Sequence, residues 1–239
     1  MEQVLLKDFF EEENTHWWHS AKRKMIKAFI PQGPGRVLVL GVGGGLLCHE
    51  LSQAFDVVGV DISSDACRHA KETYGLDTVV CDLNDGLPFT SENFDVIIIA
   101  DVLEHIQDDK KVLSEIRRCL TKGGTLLLTV PAYAHMWSYW DERLHHCRRY
   151  EYKDLKGLIS VQGFKIKKIS FFNTIIYPAA LVRRKLVRAK ANEVSDFHIS
   201  QGGAVLNRLM GFYYAAERRW IHFGSIPFGL SLFVCAEKS

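Results

Sequence analysis

Apolar residues along this chain follow two alternating rhythms. Short unbroken runs read as buried strands: Arg36–Leu40 (RVLVL), Asp56–Val60 (DVVGV), Thr78–Cys81, Phe94–Ala100 (FDVIIIA) and Thr125–Val130. Between them lie stretches with helical spacing. One runs from about Leu46 to Ala54, one continues from a Ser63-Ser64-Asp65 cap to Tyr74, and Asp108–Leu120 puts Val112, Leu113, Ile116 and Leu120 on one stripe. Phe94–Ala100 is apolar on both faces, as a central strand of a covered parallel sheet must be. Strand and helix in alternation predict an α/β fold. Before this core, Asn14 or Thr15 is placed to cap a helix to Ile30, with Trp18, Ala21, Met25 and Phe29 on one face. After it come a helix at Tyr152–Val161 closed by Gly163, a strand at Phe164–Phe172, a mainly helical stretch over 173–224, and a last strand at Leu230–Ala236.

Composition narrows the class without naming a function. The 239 residues are 47% hydrophobic and 24% charged, enough for one α/β domain without a disulfide or metal staple. A net charge of +2 gives no global basic field, so no nucleic-acid partner is expected. Six cysteines lie scattered with no CxxC, the usage of a reducing cytosol. The opening MEQVLLKDFFEEE has no apolar h-region, so no signal peptide is expected. The most apolar stretch, Phe171–Val182, is shorter than the roughly 20 residues a bilayer span needs.

The first strand ends in Gly41-Val-Gly43-Gly-Gly45 and opens a helix, a turn through which a nucleotide can approach the backbone closely. Leu46 stands where a dinucleotide fingerprint wants its third glycine, which disfavours a nicotinamide or flavin oxidoreductase. Asp61 follows Gly41 by 20 residues and closes the second strand, where a carboxylate can accept both hydroxyls of a ribose. Asp82 comes 21 residues later, placed to accept from an adenine amine. Each aspartate alone could be a helix cap or a loop carboxylate; together, after a glycine turn, they point to a ligand.

VLVLGVGGG, VGVDIS, CDLNDGLPF, FDVIIIADVLEHI and LTKGGTLLLTVP, in this order and over Trp17 to Pro131, resemble the class I S-adenosylmethionine-dependent methyltransferases. The resemblance implies a Rossmann-like seven-stranded, mostly parallel sheet with helices on both faces and a reversed last strand. It divides a single domain, 1–239, into an N-terminal helical lid (1–30), a cofactor-binding core (31–172), a helical insertion (173–224) and the last strand (225–239). By position, it gives the S-adenosylmethionine site to Gly41, Gly43, Gly45, Asp61, Ile62, Asp82, Leu83 and Ala100, with Asp101 beside the transferred methyl. Val39 departs from the acidic residue usual two positions before the first glycine. HWWHSAKRK, RLHHCRRYEYKDLKGLISVQGF, FFNTIIYPAALVRR and PFGLSLFVCAEK resemble a bacterial subgroup that acts on small-molecule or lipid-linked acceptors.

Methyl transfer needs an aligned nucleophile in a dry pocket, and a hydroxyl nucleophile needs a base. His105, His145 and His146 are the base candidates, each with a structural role as its alternative. Arg148, Arg149 and Tyr150 are the candidate acceptor clamp, since arginine forks suit carboxylate and phosphate, with pairing of the two arginines to helix carboxylates as the alternative. Arg23 is placed to reach the cofactor carboxylate, or to stand as a solvated helix residue. Asp141, His145, His146 and Cys147 crowd too closely for a tetrahedral metal centre, so no metal is expected. Trp18 reads as core, and Trp17 as either lid or core. The stretch 173–224 carries Arg183, Arg184, Lys185, Arg188, Lys190, Arg208, Arg218 and Arg219 against Glu193, Asp196 and Glu217, with aromatics interleaved from Tyr177 and Phe197 to Phe212, Tyr213, Tyr214 and Trp220. Such a region covers a substrate pocket, or lies peripherally on the inner membrane face. The expected function is methyl transfer to a small-molecule or lipid-linked acceptor at oxygen. The alternative is a non-catalytic module that keeps the fold and binds the cofactor. Oligomeric state is not legible.

Overall fold

The computed structural model describes Glu13, residues 16–188 and residues 204–239, with only the backbone of 183–188 and 204–205. Seven strands form one sheet: β1 (Arg36–Leu40), β2 (Asp56–Asp61), β3 (Asp77–Val80), β4 (Phe94–Ala100), β5 (Leu120–Pro131), β6 (Phe164–Phe172) and β7 (Ser231–Lys238). Their order is β3-β2-β1-β4-β5-β7-β6, and β7 runs antiparallel to both neighbours. The expected topology, reversed strand included, is the one observed. Strand ends differ by a few residues. β5 begins at Leu120, before the Gly123-Gly124 turn, because Leu120 pairs with Phe94 across an irregularity in β4.

Helices cover both faces. They are α1 (Trp17–Lys27), α2 (Leu46–Ser52), α3 (Ser64–Tyr74), α4 (Asp109–Cys119), α5 (Tyr139–Arg143), α6 (Tyr152–Val161), α7 (Ile176–Arg188) and α8 (Ala204–Phe223). On one face Leu38, Leu40, Ile97, Ile99, Leu126 and Leu128 pack against Val112, Leu113 and Ile116 of α4 and Leu155 and Ile159 of α6. On the other, Val37, Val39, Val96, Ile98 and Leu127 pack against Met25 and Ile26 of α1, Leu47 and Leu51 of α2, Ala70 of α3 and Ile221 of α8. The two-residue period of each strand divides its side chains between these layers.

Local caps behave as the residue types demand. The Ser63 hydroxyl accepts from the Ala66 N–H at 3.2 Å, and Gly75, at φ +68°, ends α3. Asp108 caps α4 by accepting from the Lys111 N–H at 3.0 Å. The expected cap of α1 at Asn14 or Thr15 lies outside the described residues. His16 takes that place, its Nδ1 accepting from the Trp18 N–H at 3.1 Å.

The face of α1 is rotated from the expected one. Trp17 is buried and stacks on Tyr214 of α8 at 5.4 Å, while Trp18 is half-buried. Trp17 is therefore the core residue, because α8 packs against α1 from a direction that periodicity does not carry. Of the basic stretch 173–224, Lys190, Glu193, Asp196 and Phe197 lie outside the described residues, as do the side chains of Arg183, Arg184, Lys185 and Arg188.

Candidate active site

Strand order reverses between β1 and β4: the chain goes from β1 to β2 on one side and returns to β4 on the other. Such a switch point leaves a crevice at the carboxyl ends of the strands. The register pairs Leu40 with both Val60 and Ile99, so Gly41 leaves the sheet between Asp61 and Ala100. Gly41 has φ +87°, and a Cβ there would meet the Val102 Cγ2 at 2.4 Å. Only glycine fits that bend.

Asp61 is tied to the same turn. Its Oδ2 accepts from the Gly43 N–H at 3.2 Å and its Oδ1 from the Ser63 N–H at 2.9 Å. The Cys81 N–H donates to the Asp61 carbonyl at 3.0 Å, which sets Asp82 at the neighbouring strand exit. The Asp82 Oδ1 accepts from the Asn84 N–H at 2.9 Å. Ile62, 68% exposed, stands beside Asp61 as an uncovered apolar shelf, and Leu83 is half-buried. The glycine bend and both carboxylates thus share one edge of the sheet.

Asp101 follows Ala100 at φ +54°, in the left-handed region that a non-glycine residue enters at a cost. The Lys22 ammonium of α1 reaches its Oδ2 at 2.7 Å, and the Thr129 hydroxyl donates to its Oδ1 at 2.9 Å. Burial opposes charge on Asp101, but Lys22 and Thr129 hold its carboxyl below the usual range. His19, one turn before Lys22, is pushed down to about 3 by burial and the Lys22 charge.

Arg23 does not enter the crevice as expected. It pairs with Glu50 of α2 at 3.1 Å and donates to the Glu13 carbonyl at 2.8 Å. Lys22, which the sequence pattern did not single out, is the cation that reaches Asp101. Val39 is fully buried in the layer that α1, α2 and α8 cover, so an acid there would need a partner among apolar neighbours.

A second group lies beyond Asp101. Glu104 is 1% exposed, with its Oε2 unpartnered. Burial and the Asp101 charge push its carboxyl well above the usual range. His105 meets His146 edge to face at 4.7 Å. Its residue surface is exposed, but partial desolvation of the ring and the neighbouring His146 lower its pKa, which favours the neutral ring. His146 is oriented by Asp141, Nδ1 to Oδ1 at 2.9 Å. Asp141 is fully buried and also accepts from Arg149 at 2.6 Å and from the Ser138 N–H and hydroxyl at 2.8 and 3.0 Å. Burial opposes its ionisation, but the bonds from His146 and Arg149 hold its carboxyl well below the usual carboxylate range.

Of the two readings of the arginines, the structure shows pairing with carboxylates of the protein. Arg148 bonds Asp109 and the Gln107 carbonyl, both at 2.7 Å, Arg149 bonds Asp141 and the Ala132 carbonyl, and Tyr150 is buried with its hydroxyl 3.1 Å from Asp109. Arg148 and Tyr150 thereby staple the 144–150 loop to the segment after β4, and Arg149 ties it to α5 and to the residue after β5. His145 stands exposed at φ +57°, a residue away from this contact. Among the described residues, Glu104, His105 and His146 bring one ligand atom each within 4.8 Å of one another. That grouping comes from the fold; the expected metal-type crowding was at Asp141 to Cys147 instead.

An adenosine-bearing sulfonium fits this donor set. Asp61 keeps free lone pairs for a diol, Ile62 offers a flat apolar contact, and Asp82 accepts at the far end. The Glu13 carboxyl lies against the Gly44 N–H, one oxygen unpartnered, where a methionyl end would need charge partners.

Comparison with known proteins agrees with the geometry. A methyltransferase domain model matches residues 38–128. The uncharacterised protein MJ1123 of Methanocaldococcus jannaschii is 32% identical over 130 residues, 52% of this chain and 60% of that protein. The mitochondrial ubiquinone biosynthesis O-methyltransferase of Homo sapiens is 30% identical over 120 residues, 44% of this chain and 32% of that protein. The chain therefore matches less than two thirds of either relative's length. The crystal structure of an S-adenosylmethionine-dependent methyltransferase from Mesorhizobium loti superposes with a TM-score of 0.63 at 16% identity, covering 93% of this chain and 100% of that one.

Proposed function

We propose that the chain is a class I S-adenosylmethionine-dependent methyltransferase, as the matched domain model and the similar proteins support, and that it methylates a hydroxyl of a small-molecule or lipid-linked acceptor. One observation carries the reading: a neutral imidazole, His105, backed by His146 and the buried Asp141, stands next to the strand exits that hold Gly41, Asp61 and Asp101. A methyltransferase acting on a hydroxyl needs a cofactor crevice and a base side by side. The similar proteins include both O- and N-methyltransferases, so the choice of oxygen rests on the base beside the crevice.

When bound, the cofactor supplies an electrophilic methyl on a positively charged sulfur. Gly41, Gly43 and Gly45 would let its methionyl end approach the backbone. Asp61 would hold the ribose, with Ile62, Leu83 and Asp82 around the adenine and Ala100 along the methionyl chain. Asp101, kept ionised by Lys22, puts fixed negative charge at the end of β4. That charge favours a cationic ligand, and pairing with Lys22 stops Asp101 itself from moving when the methyl leaves. His105 accepts the acceptor's hydroxyl proton at a ring nitrogen, and the negative charge of Asp101 favours the charge that His105 gains, while His146, oriented by Asp141, packs against its ring. Burial and the Asp101 charge raise the Glu104 carboxyl's pKa, which disfavours a second negative charge beside Asp101. Arg148, Arg149 and Tyr150 act here as positioning residues.

The test combines calorimetry with S-adenosylhomocysteine release across a panel of hydroxylated acceptors, soluble and lipid-linked. His105→Ala is expected to bind cofactor as the unaltered chain does and to lose about 10²–10⁴-fold in turnover on the active acceptor. Cofactor binding with no product on any acceptor would favour the non-catalytic module. A loss of less than threefold would return His105 to a structural role.

A further inference from the structure

Helix α8 has two faces of opposite character. Tyr214, Glu217 and Ile221 are buried against the domain. Glu217, the helix's one acidic residue, accepts from the Asn173 N–H at 3.1 Å, the Thr174 N–H at 2.9 Å, and the Thr174 and Tyr213 hydroxyls at 2.8 Å. The negative charge of the helix is thereby directed inward.

On the far side Leu209, Phe212, Trp220 and Phe223 are 60, 65, 67 and 77% exposed. With exposed Ala216 they follow one another at steps of three, four, four and three residues. Those steps make a single stripe on a helix, opposite the packed face and about 21 Å long at 1.5 Å per residue. The Arg208 guanidinium lies over the Phe212 ring at 5.9 Å, and that of Arg219 over the Phe223 ring at 5.6 Å. Exposed aromatic rings in a continuous stripe are rare on a surface that meets only water.

We propose that α8 lies in the plane of an anionic bilayer, its stripe sunk into the acyl boundary and Arg208 and Arg219 at the level of the lipid phosphates. Three features favour a membrane over a second copy of the chain. The stripe is linear rather than concave, its exposed charge is of one sign, and two such helices would set arginine against arginine. Aromatic and leucine side chains on one face with arginines along its margin are what an interfacial helix needs. No helix among the described residues is long and apolar enough to cross a membrane, so the contact is lateral. The inference rests on the proposed function only for its purpose, bringing the crevice to a lipid-linked acceptor; the binding itself needs no acceptor.

The test is co-sedimentation of the full chain with vesicles of phosphatidylcholine alone and with one quarter phosphatidylglycerol. Binding is expected to the anionic vesicles, with a blue shift in tryptophan emission that Trp220→Phe removes, and to weaken with added salt. Arg208→Gln with Arg219→Gln is expected to lower the partition coefficient about fivefold per arginine. Phe212→Ser with Phe223→Ser is expected to lower it at least about tenfold. Thermal melts and calorimetric cofactor affinity, both expected to match the unaltered chain, separate lost docking from lost folding. They also separate failure of this proposal from failure of the methyltransferase reading. A chain that stays in the supernatant with both vesicle types overturns the proposal. So does a dimer in sedimentation velocity that Phe212→Ser with Phe223→Ser dissolves, since the occupant would then be a second copy.

Discussion

Replacing Asp61 by alanine removes one carboxylate and leaves the glycine bend in place. Two backbone donors lose their acceptor, the N–H groups of Gly43 and Ser63, at 3.2 and 2.9 Å. Asp61 is half-buried at a strand exit, so water can replace those two bonds. The cost to the fold is then about 0.5–1.5 kcal/mol, the net worth of an ordinary hydrogen bond. The cost to the ligand is larger, because a charged acceptor facing a vicinal diol makes two bonds of the stronger, ionic kind. Partial exposure discounts them, and the sum comes to about 1–3 kcal/mol, or about 5- to 150-fold in dissociation constant. Asparagine is a poorer control than it looks, since its amide would point N–H at either Gly43 or Ser63. Calorimetry with S-adenosylhomocysteine, adenosine and 2′-deoxyadenosine isolates the contact. The mutation should weaken adenosine by the full amount and 2′-deoxyadenosine by clearly less, because the deoxy sugar has already lost one hydroxyl. Equal losses for the two nucleosides, or none for either, would refute the assignment of Asp61 to the ribose.

Two further outcomes follow from the same geometry. Gly41→Ala puts a Cβ 2.4 Å from the Val102 Cγ2 at a left-handed φ; it should destabilise the fold by about 1–3 kcal/mol, read as a lower melting temperature, and weaken the cofactor with it. Asp141 has a folded-state pKa below its unfolded value, so its stabilisation is complete above about pH 4 and is lost as pH falls toward the folded value. Asp141→Asn leaves Arg149 without its partner and should cost about 3–5 kcal/mol in urea melts at pH 7, while flattening the loss of stability below pH 4; the same acid slope in both proteins would remove Asp141 from that role.

The reversed last strand was implied by the family resemblance, while local periodicity and spacing were enough to read the strands, the glycine bend and the two carboxylates that close β2 and the β3 exit. Each of these depends on residues near one another in sequence, or on strands whose ends the alternation marks. What they touch was not written there. Arg148, Arg149 and Tyr150 look like a clamp for an anion until Asp109, Asp141 and the carbonyls of Gln107 and Ala132 are found facing them. Arg23 and Lys22 are neighbours in the chain. Which of them enters the crevice is decided by how α1 sits on α2 and α8, and that also exchanges the parts of Trp17 and Trp18. His146 meets His105 because a loop 40 residues downstream is pinned to the turn after β4. Pattern along a chain specifies the faces and ends of its elements. The partners of long polar side chains are chosen only when those elements pack, since burial must satisfy each charge and donor with whatever the other elements bring.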